Sequence, residues 1–108
     1  MTTADYILAG NPTITYQPAE TADKTLLAIG GAIHQRLEQD DEADYNIYST
    51  VFTIAKNYTT GIQQPTISDT LIDSAGMAWG VIGIETDDLS GLHTLMCERK
   101  TLITRHRK

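Results

Sequence analysis

Three histidines and one cysteine are the side chains of this 108-residue chain best suited to metal binding or nucleophilic catalysis. His34 and His93 lie in segments predicted to be strands, and His106 lies near the C-terminus. No two of them have the four-residue spacing of a helical zinc site. Cys97 lies in an apolar run, which is typical of a small buried residue, whereas a nucleophilic cysteine needs a nearby base and a lowered pKa. The sequence therefore predicts no catalytic residue, no metal site and no cofactor.

The densest group of carboxylates, Glu38–Asp44, reads Glu-Gln-Asp-Asp-Glu-Ala-Asp. Calcium takes oxygen ligands, but this segment lacks the alternating acids and the turn glycine of an EF-hand loop. We interpret it as a solvated acidic loop. The glycines at positions 30, 31, 80 and 83 do not match a phosphate-binding fingerprint, because they are not placed between a strand and a helix. These patterns indicate a protein that is not an enzyme.

The stretch Ile67–Lys100 gives the strongest structural signal in the chain. It contains three apolar runs separated by two turn clusters, Asp73–Gly76 and Thr86–Gly91. Asp, Ser and Gly in such clusters favour chain reversal, so the stretch predicts a three-stranded antiparallel meander. Trp79 lies in the second run and is expected to be an anchor in the core or in an interface. Basic residues do not surround it, which disfavours a role in stacking on nucleic-acid bases.

The segments before the meander are also rich in strand patterns. Thr13–Tyr16 and Tyr45–Ala55 combine β-branched and aromatic residues in alternation, as strands do. Lys24–Gln39 is ambiguous, because apolar residues at positions 26, 29, 33 and 37 follow a helical stripe. Gly30–Gly31 in its middle favours a bent or bulged strand, which is our prediction. Tyr6–Leu8 predicts either an edge strand or one helical turn.

These segments together predict an all-β fold: a small antiparallel β-barrel or sandwich of about six or seven strands, with a C-terminal meander and long loops. A chain of 108 residues is long enough for one domain, spanning residues 1–108. Its apolar runs are far shorter than the roughly 18–20 residues that cross a bilayer. No secretory signal is visible, and the single cysteine excludes an internal disulfide, which fits an intracellular protein.

Charge is distributed unevenly along the chain. Residues 1–98 carry all fourteen acidic residues and three basic ones, a formal charge of −11, whereas residues 99–108 carry five basic residues and no acid. This pattern predicts an acidic body with a basic C-terminal tail, residues 101–108, that is flexible or docks on a partner. The tail could be simply solvated, or it could bind the acidic surface of a neighbouring subunit or nucleic-acid phosphates.

From residue 13 to residue 100 the chain resembles the small head-completion proteins of tailed bacteriophages, the head-closure or stopper type of head–tail connector. The shared features are the early strand Ile14–Tyr16, a run that ends in an acidic linker, the long strand Ile47–Ile54, a polar loop and the final meander. The meander carries the most specific positions, which are Asp69, Leu71, Asp73, Gly76, Trp79, Val81, Gly83, Ile84, Asp88, Gly91, Leu95, Cys97 and Arg99.

The resemblance implies a β-barrel that assembles into a ring in the virion neck, closes the DNA channel of the head and joins the head to the tail. The implied partners are other copies of the chain, the portal or adaptor, tail proteins and the packaged DNA, with no membrane. The protein would be a virion component assembled in the bacterial cytoplasm. Two other functions stay open: a tail terminator or minor capsid protein, or a small β-barrel that binds a ligand or nucleic acid.

A long loop would project into the channel or contact a partner, and the polar loop after the long strand is our candidate for it. Its residues are Lys56, Asn57, Tyr58, Thr59, Thr60, Gly61, Ile62, Gln63 and Gln64. The acidic segment Glu38–Asp44 is the second candidate. Candidate assembly contacts are Trp79, Arg105, Arg107 and Lys108.

Overall fold

The computed structural model describes residues 3–106, which form one short helix and eight strands. The elements are α1 (Thr3–Leu8), β1 (Thr13–Gln17), β2 (Lys24–Leu27), β3 (Ile29–Gly30), β4 (His34–Gln39), β5 (Ala43–Ala55), β6 (Thr70–Ile72), β7 (Ala78–Asp87) and β8 (Leu92–Arg105). All strand pairs are antiparallel, in the order β2-β1-β6-β7-β8-β5-β3, and β4 also pairs with β5. The predicted all-β class and the meander β6-β7-β8 are confirmed.

The segment between residues 24 and 39 explains why there are eight strands where the sequence predicts six or seven. It is a strand, as predicted, but it breaks at Ala28 and again after Gly30. Gly31 passes so close to β5 that an added Cβ would lie 2.7 Å from Val51 Cγ2. β2 pairs with β1, and β3 pairs with β5 at the other end of the strand order. The bend therefore gives the sheet a barrel-like shape, although the sheet is not closed.

The core fills the inside of this curved sheet with alternate residues of its strands. Its members are Ile14, Tyr16, Leu26, Ala28, Phe52, Ile54, Leu71, Trp79, Val81, Leu95 and Cys97. The rings of Phe52 and Trp79 pack edge to face, with centroids 6.2 Å apart. A smaller cluster joins Ala4 and Leu8 of α1 to Ala55, where β5 ends. Of the two predictions for Tyr6–Leu8, the helical turn is therefore right.

A three-stranded arm extends from the barrel-like body. It consists of residues 34–49, which form β4 and the first half of β5, and residues 98–105 of β8. Among the described residues, β7 pairs with β8 only as far as Glu98, so the last part of β8 pairs with β5 alone. The molecule measures 58 × 28 × 23 Å, and its radius of gyration is 15.5 Å. A compact domain of this length would have a radius of gyration of about 13 Å, so the arm makes the molecule elongated.

The arm corrects the prediction of a separate tail at residues 101–108. Residues 101–105 continue β8 as a paired strand, because Thr101, Ile103 and Thr104 are β-branched residues that favour extended backbone. The backbone N–H of His106 donates to the Glu42 carbonyl at 2.7 Å. Arg107 and Lys108 lie outside the described residues. Within residues 3–106, no helix has the length and hydropathy that crossing a bilayer requires.

Candidate functional site

The predicted partner loop, residues 56–64, has a defined conformation built around Asn57. The Asn57 side-chain oxygen accepts hydrogen bonds from the backbone N–H groups of Thr59, Thr60 and Gly61, at 3.0, 2.6 and 3.0 Å. The Asn57 side-chain amide donates to Thr60 Oγ1 at 2.9 Å. Asparagine side chains stabilise turns in this way because they replace the acceptor that a regular backbone turn would supply. The loop is therefore a compact turn and not an extended projection.

Gly61 fixes this turn against the end of β5. The Ile62 N–H donates to the Ala55 carbonyl at 3.0 Å, and a Cβ added at Gly61 would lie 1.9 Å from that same oxygen. Only glycine allows this approach. Lys24 Nζ donates to the carbonyls of Tyr58 and Gly61 at 3.0 and 2.8 Å, so β2 holds the loop from its other side.

His93 ties the second half of the loop to the sheet. It is 3% exposed, its Nε2 bonds the Gln63 carbonyl at 3.1 Å, and its Nδ1 bonds Thr86 Oγ1 at 2.8 Å. A carbonyl can only accept, so Nε2 carries the proton and Nδ1 accepts from the threonine hydroxyl. Burial lowers the pKa of His93, which keeps the ring neutral. The side chain acts as a structural anchor for the loop.

Large hydrophobic side chains are exposed around this loop. Tyr6, Tyr58 and Leu89 are 78%, 82% and 97% exposed. Their segments touch: Thr60 Oγ1 donates to Asp5 of α1 at 2.6 Å, and Lys56 pairs with Asp88. We call this end of the molecule, residues 3–8, 56–64 and 87–91, the loop pole. β5 ends and β8 begins here, so the loop pole lies opposite the arm.

A groove of about 630 Å³ lies beside the loop, between residues 18–22 and residues 57–67. Asp69 is one of the residues that line the groove, and it is 4% exposed. Its carboxylate accepts hydrogen bonds from the Tyr16 hydroxyl at 2.6 Å, from the Thr66 N–H at 2.9 Å and from the Ala19 N–H at 3.2 Å. Burial and the bond to Asp69 raise the pKa of Tyr16, so its hydroxyl stays a donor. Asp69 thus joins the two walls of the groove.

Trp79, predicted as a core or interface anchor, lies in the core. It is 2% exposed, its Nε1–H donates to Asp73 Oδ2 at 3.0 Å, and Phe52 packs on its ring. The Arg99 guanidinium lies 6.0 Å from the Trp79 ring centre and 4.8 Å from that of Tyr48. Trp79 is therefore a core anchor, which is one of the two roles that the sequence predicts, and its assignment as an assembly contact stays a prediction.

One face of the arm carries two ion pairs that cross its central strand. Arg36, Ile47 and Lys100 lie side by side on β4, β5 and β8. Arg36 pairs with Glu98 at 3.6 Å and Lys100 with Glu38 at 3.1 Å, each from β4 to β8. Ile47 is 1% exposed although it lies on a thin arm. Arg36 and Lys100 flank it on the neighbouring strands, and the aliphatic parts of such long side chains commonly cover apolar neighbours.

The acidic segment Glu38–Asp44 forms the tip of the arm. Residues 40–42 are the turn of the β4–β5 hairpin, so this segment is a tight turn and not a long loop. Asp40 Oδ1 accepts from the N–H groups of Glu42 and Ala43 at 2.8 and 2.7 Å, and these bonds lower the pKa of Asp40. Arg105 lies opposite Ala43 on β8, at the same tip. Among residues 3–106, no group of three or more His, Cys, Asp or Glu side chains could hold a metal.

Cys97 has the environment that its apolar neighbours predict. It is fully buried in the core, and burial raises the pKa of its thiol to about 12. The thiolate, which is the reactive form, is therefore scarce at neutral pH.

Comparisons of this chain with protein-family models, curated proteins and solved structures find no match. The candidate sites therefore rest on the geometry of the chain itself. Sequence reasoning found the loop at residues 56–64 but missed the arm and the Asp69 cluster. The arm had one signal, the run Thr101–Thr104 before the basic end, in which three of the four residues are β-branched. Two of the three partners of Asp69, Tyr16 and Ala19, are about fifty positions away along the chain.

Proposed function

We propose that this chain is a non-enzymatic structural protein of a phage or prophage neck. In this proposal its copies form a ring that closes the DNA channel of the head and joins the head to the tail. The observation that carries the proposal is the bipolar shape of the molecule. The loop pole and the arm lie at opposite ends of two long strands, β5 and β8, and each end exposes a different chemistry.

A connector must bind one partner on each side, and this geometry supplies two such surfaces. The thirteen residues of β5 span about 40 Å as an extended strand. The loop pole presents Tyr6, Tyr58 and Leu89, which suit an apolar pocket on a partner. The arm presents charged edges together with the exposed apolar residues Leu37 and Ile103. A continuous sheet between the two ends would transmit the position of one partner to the other.

The charge of the body supports the passage of DNA and disfavours its capture. Four basic side chains are already engaged: Arg36, Lys56 and Lys100 pair with acids, and Lys24 binds two loop carbonyls. The formal net charge is −6. A ring lined by such subunits would repel phosphates, so DNA could pass without binding to the channel wall. For the same reason the nucleic-acid-binding alternative is less well supported.

Deletion of the gene from its phage or prophage genome tests the proposal. We expect heads and completed tails to accumulate separately in lysates of the deletion strain, as seen by electron microscopy. A plasmid copy of the gene should restore infectious particles. Tails of uncontrolled length would favour the tail-terminator alternative. Normal yields of infectious, joined particles after deletion would refute the neck function.

The loop pole can be tested in the same complementation assay with Leu89→Ser. Leu89 is 97% exposed, so we expect the variant to fold normally but to join heads to tails less efficiently. Ile82→Ser is the matched control, because Ile82 is 55% exposed on β7, away from the loop pole. Equal complementation by both variants would exclude the loop pole as a partner surface.

A further inference from the structure

We infer that the two open edges of the arm join one copy of this chain to the next, with the β4 edge of one copy pairing with the β8 edge of its neighbour. The inference rests on the proposed ring assembly and names the surfaces that hold its copies together. It assigns the arm a partner of defined chemistry, a second copy of the same chain.

The hydrogen-bonding groups of both edges are the first support. Within residues 3–106, β4 pairs with β5 and with no other strand, and residues 99–105 of β8 likewise pair only with β5. Alternate residues of an edge strand direct their N–H and C=O groups outwards, where they can pair with a strand of another chain. The two open edges are of similar length: six residues in β4 and residues 99–105 in β8. One edge can therefore cover most of the other.

Charge selects which edges meet. The β4 edge leads into Asp40, Asp41 and Glu42 at the tip, whereas the β8 edge ends in Arg105. Arg36 on β4 and Lys100 on β8 are already paired with Glu98 and Glu38 of the same chain. At the tip the acidic turn joins β4 to β5, and Arg105 lies on β8, on the other side of β5. Copies placed side by side in the same orientation bring opposite charges together. A parallel contact between two β4 edges would instead bring the two acidic turns together, and a parallel contact between two β8 edges would bring the two Arg105 side chains together.

Strand direction agrees with a head-to-tail arrangement. β4 and β8 are both antiparallel to β5, so they run in the same direction, and the proposed pairing between copies is parallel. Such a contact uses two different surfaces of each subunit, and a contact of this kind closes into a ring when the rotation between copies allows it. A two-fold contact between identical edges would stop at a dimer.

Apolar side chains on both edges would be covered by the contact. Leu37 on β4 is 57% exposed, and Leu102 and Ile103 on β8 are 43% and 50% exposed. Parallel pairing is slightly less stable per residue than antiparallel pairing, so burial of these side chains is a needed contribution. In the isolated chain they are exposed apolar side chains beside the two open edges.

Sedimentation equilibrium of the purified chain tests the inference through Leu37→Lys. We expect the parent chain to associate with a dissociation constant below about 1 mM. Leu37→Lys should raise that dissociation constant by about tenfold or more. Ile82→Lys is the matched control, because it places the same charge at a site of similar exposure, 55%, on β7. Circular dichroism of each variant checks that the fold is retained. Normal association of the folded Leu37→Lys variant would overturn the edge pairing.

A charge-exchange experiment tests the head-to-tail geometry with Asp41→Lys and Arg105→Glu. Each variant alone opposes like charges and should associate less than the parent. In an equal mixture, the two new charges attract each other at one contact and the two native residues attract each other at the next, so association should recover. A mixture that associates no better than the separate variants would overturn the inference.

The outcomes for the interface and for the neck function are separable. A parent chain that stays monomeric up to about 1 mM overturns self-association through the arm, while the neck function is judged by the deletion phenotype alone. Conversely, edge pairing that responds to Leu37→Lys, together with normal virions after gene deletion, would support the interface and refute the neck function.

Discussion

Replacement of the buried Asp69 with alanine should be among the most destabilising single changes in this chain. The carboxylate accepts three hydrogen bonds, from the Tyr16 hydroxyl and from the N–H groups of Ala19 and Thr66. Tyr16 is 0% exposed, so in the variant its hydroxyl would have neither the Asp69 acceptor nor access to bulk water. An unsatisfied buried hydroxyl costs about 1–3 kcal/mol, and two N–H groups that lose a charged acceptor add about 1 kcal/mol each after partial rehydration.

We therefore expect Asp69→Ala to lower the free energy of unfolding by about 3–5 kcal/mol, out of the 5–15 kcal/mol typical of a domain. Tyr16→Phe in the parent should cost about 1.5–3 kcal/mol, because it removes a hydrogen bond to a charged group. In the Asp69→Ala background the same change should cost close to nothing, since the hydroxyl already lacks a partner. Trp79, the single tryptophan of the chain and a buried one, reports unfolding by its fluorescence in urea.

A double-mutant cycle of these two residues measures the coupling directly. Equal costs of Tyr16→Phe in both backgrounds, within about 0.5 kcal/mol, would mean that the hydroxyl and the carboxylate are not coupled. That result would refute the description of Asp69 as the residue that joins the two walls of the groove. Glu20→Ala is the control, because it removes an exposed carboxylate from the same wall and should change the free energy of unfolding by less than about 0.5 kcal/mol.

Three further predictions follow from single residues. Gly61→Ala should lower the free energy of unfolding by about 2–4 kcal/mol, because the new Cβ collides with the Ala55 carbonyl; a loss below about 1 kcal/mol in thermal melts would contradict the tight turn. Stability should be intact above about pH 6.5 and fall as the pH drops towards the lowered pKa of His93, because the unfolded chain binds the proton more readily. His93→Gln should flatten this part of the pH profile, and an unchanged slope would assign it to other groups. Cys97 should react with a thiol reagent only as fast as the protein opens, and fast modification of the native protein would contradict its burial.

Local sequence patterns determined most of the secondary structure. Turn clusters of Asp, Ser and Gly around Trp79 and Val81 fix the meander, because these residue types act through local hydrogen bonds and backbone freedom. Gly31 marks the break in the strand after β3, since its close approach to Val51 leaves no room for a side chain. The composition of the loop at residues 56–64 likewise indicated a surface segment. These features could be predicted because their causes are local.

The arm, the Asp69 cluster and the burial of Trp79 were decided only by the tertiary structure. Tyr16 meets Asp69 across 53 positions of the sequence, and Lys100 meets Glu38 across 62. Such contacts depend on which strands become neighbours, and no local pattern encodes that choice. The basic C-terminal residues read as a tail because charge predicts solvation, yet pairing with β5 makes residues up to Arg105 the edge of a sheet. Local chemistry therefore specified the strands, and their long-range pairing specified which surfaces remain open to a partner.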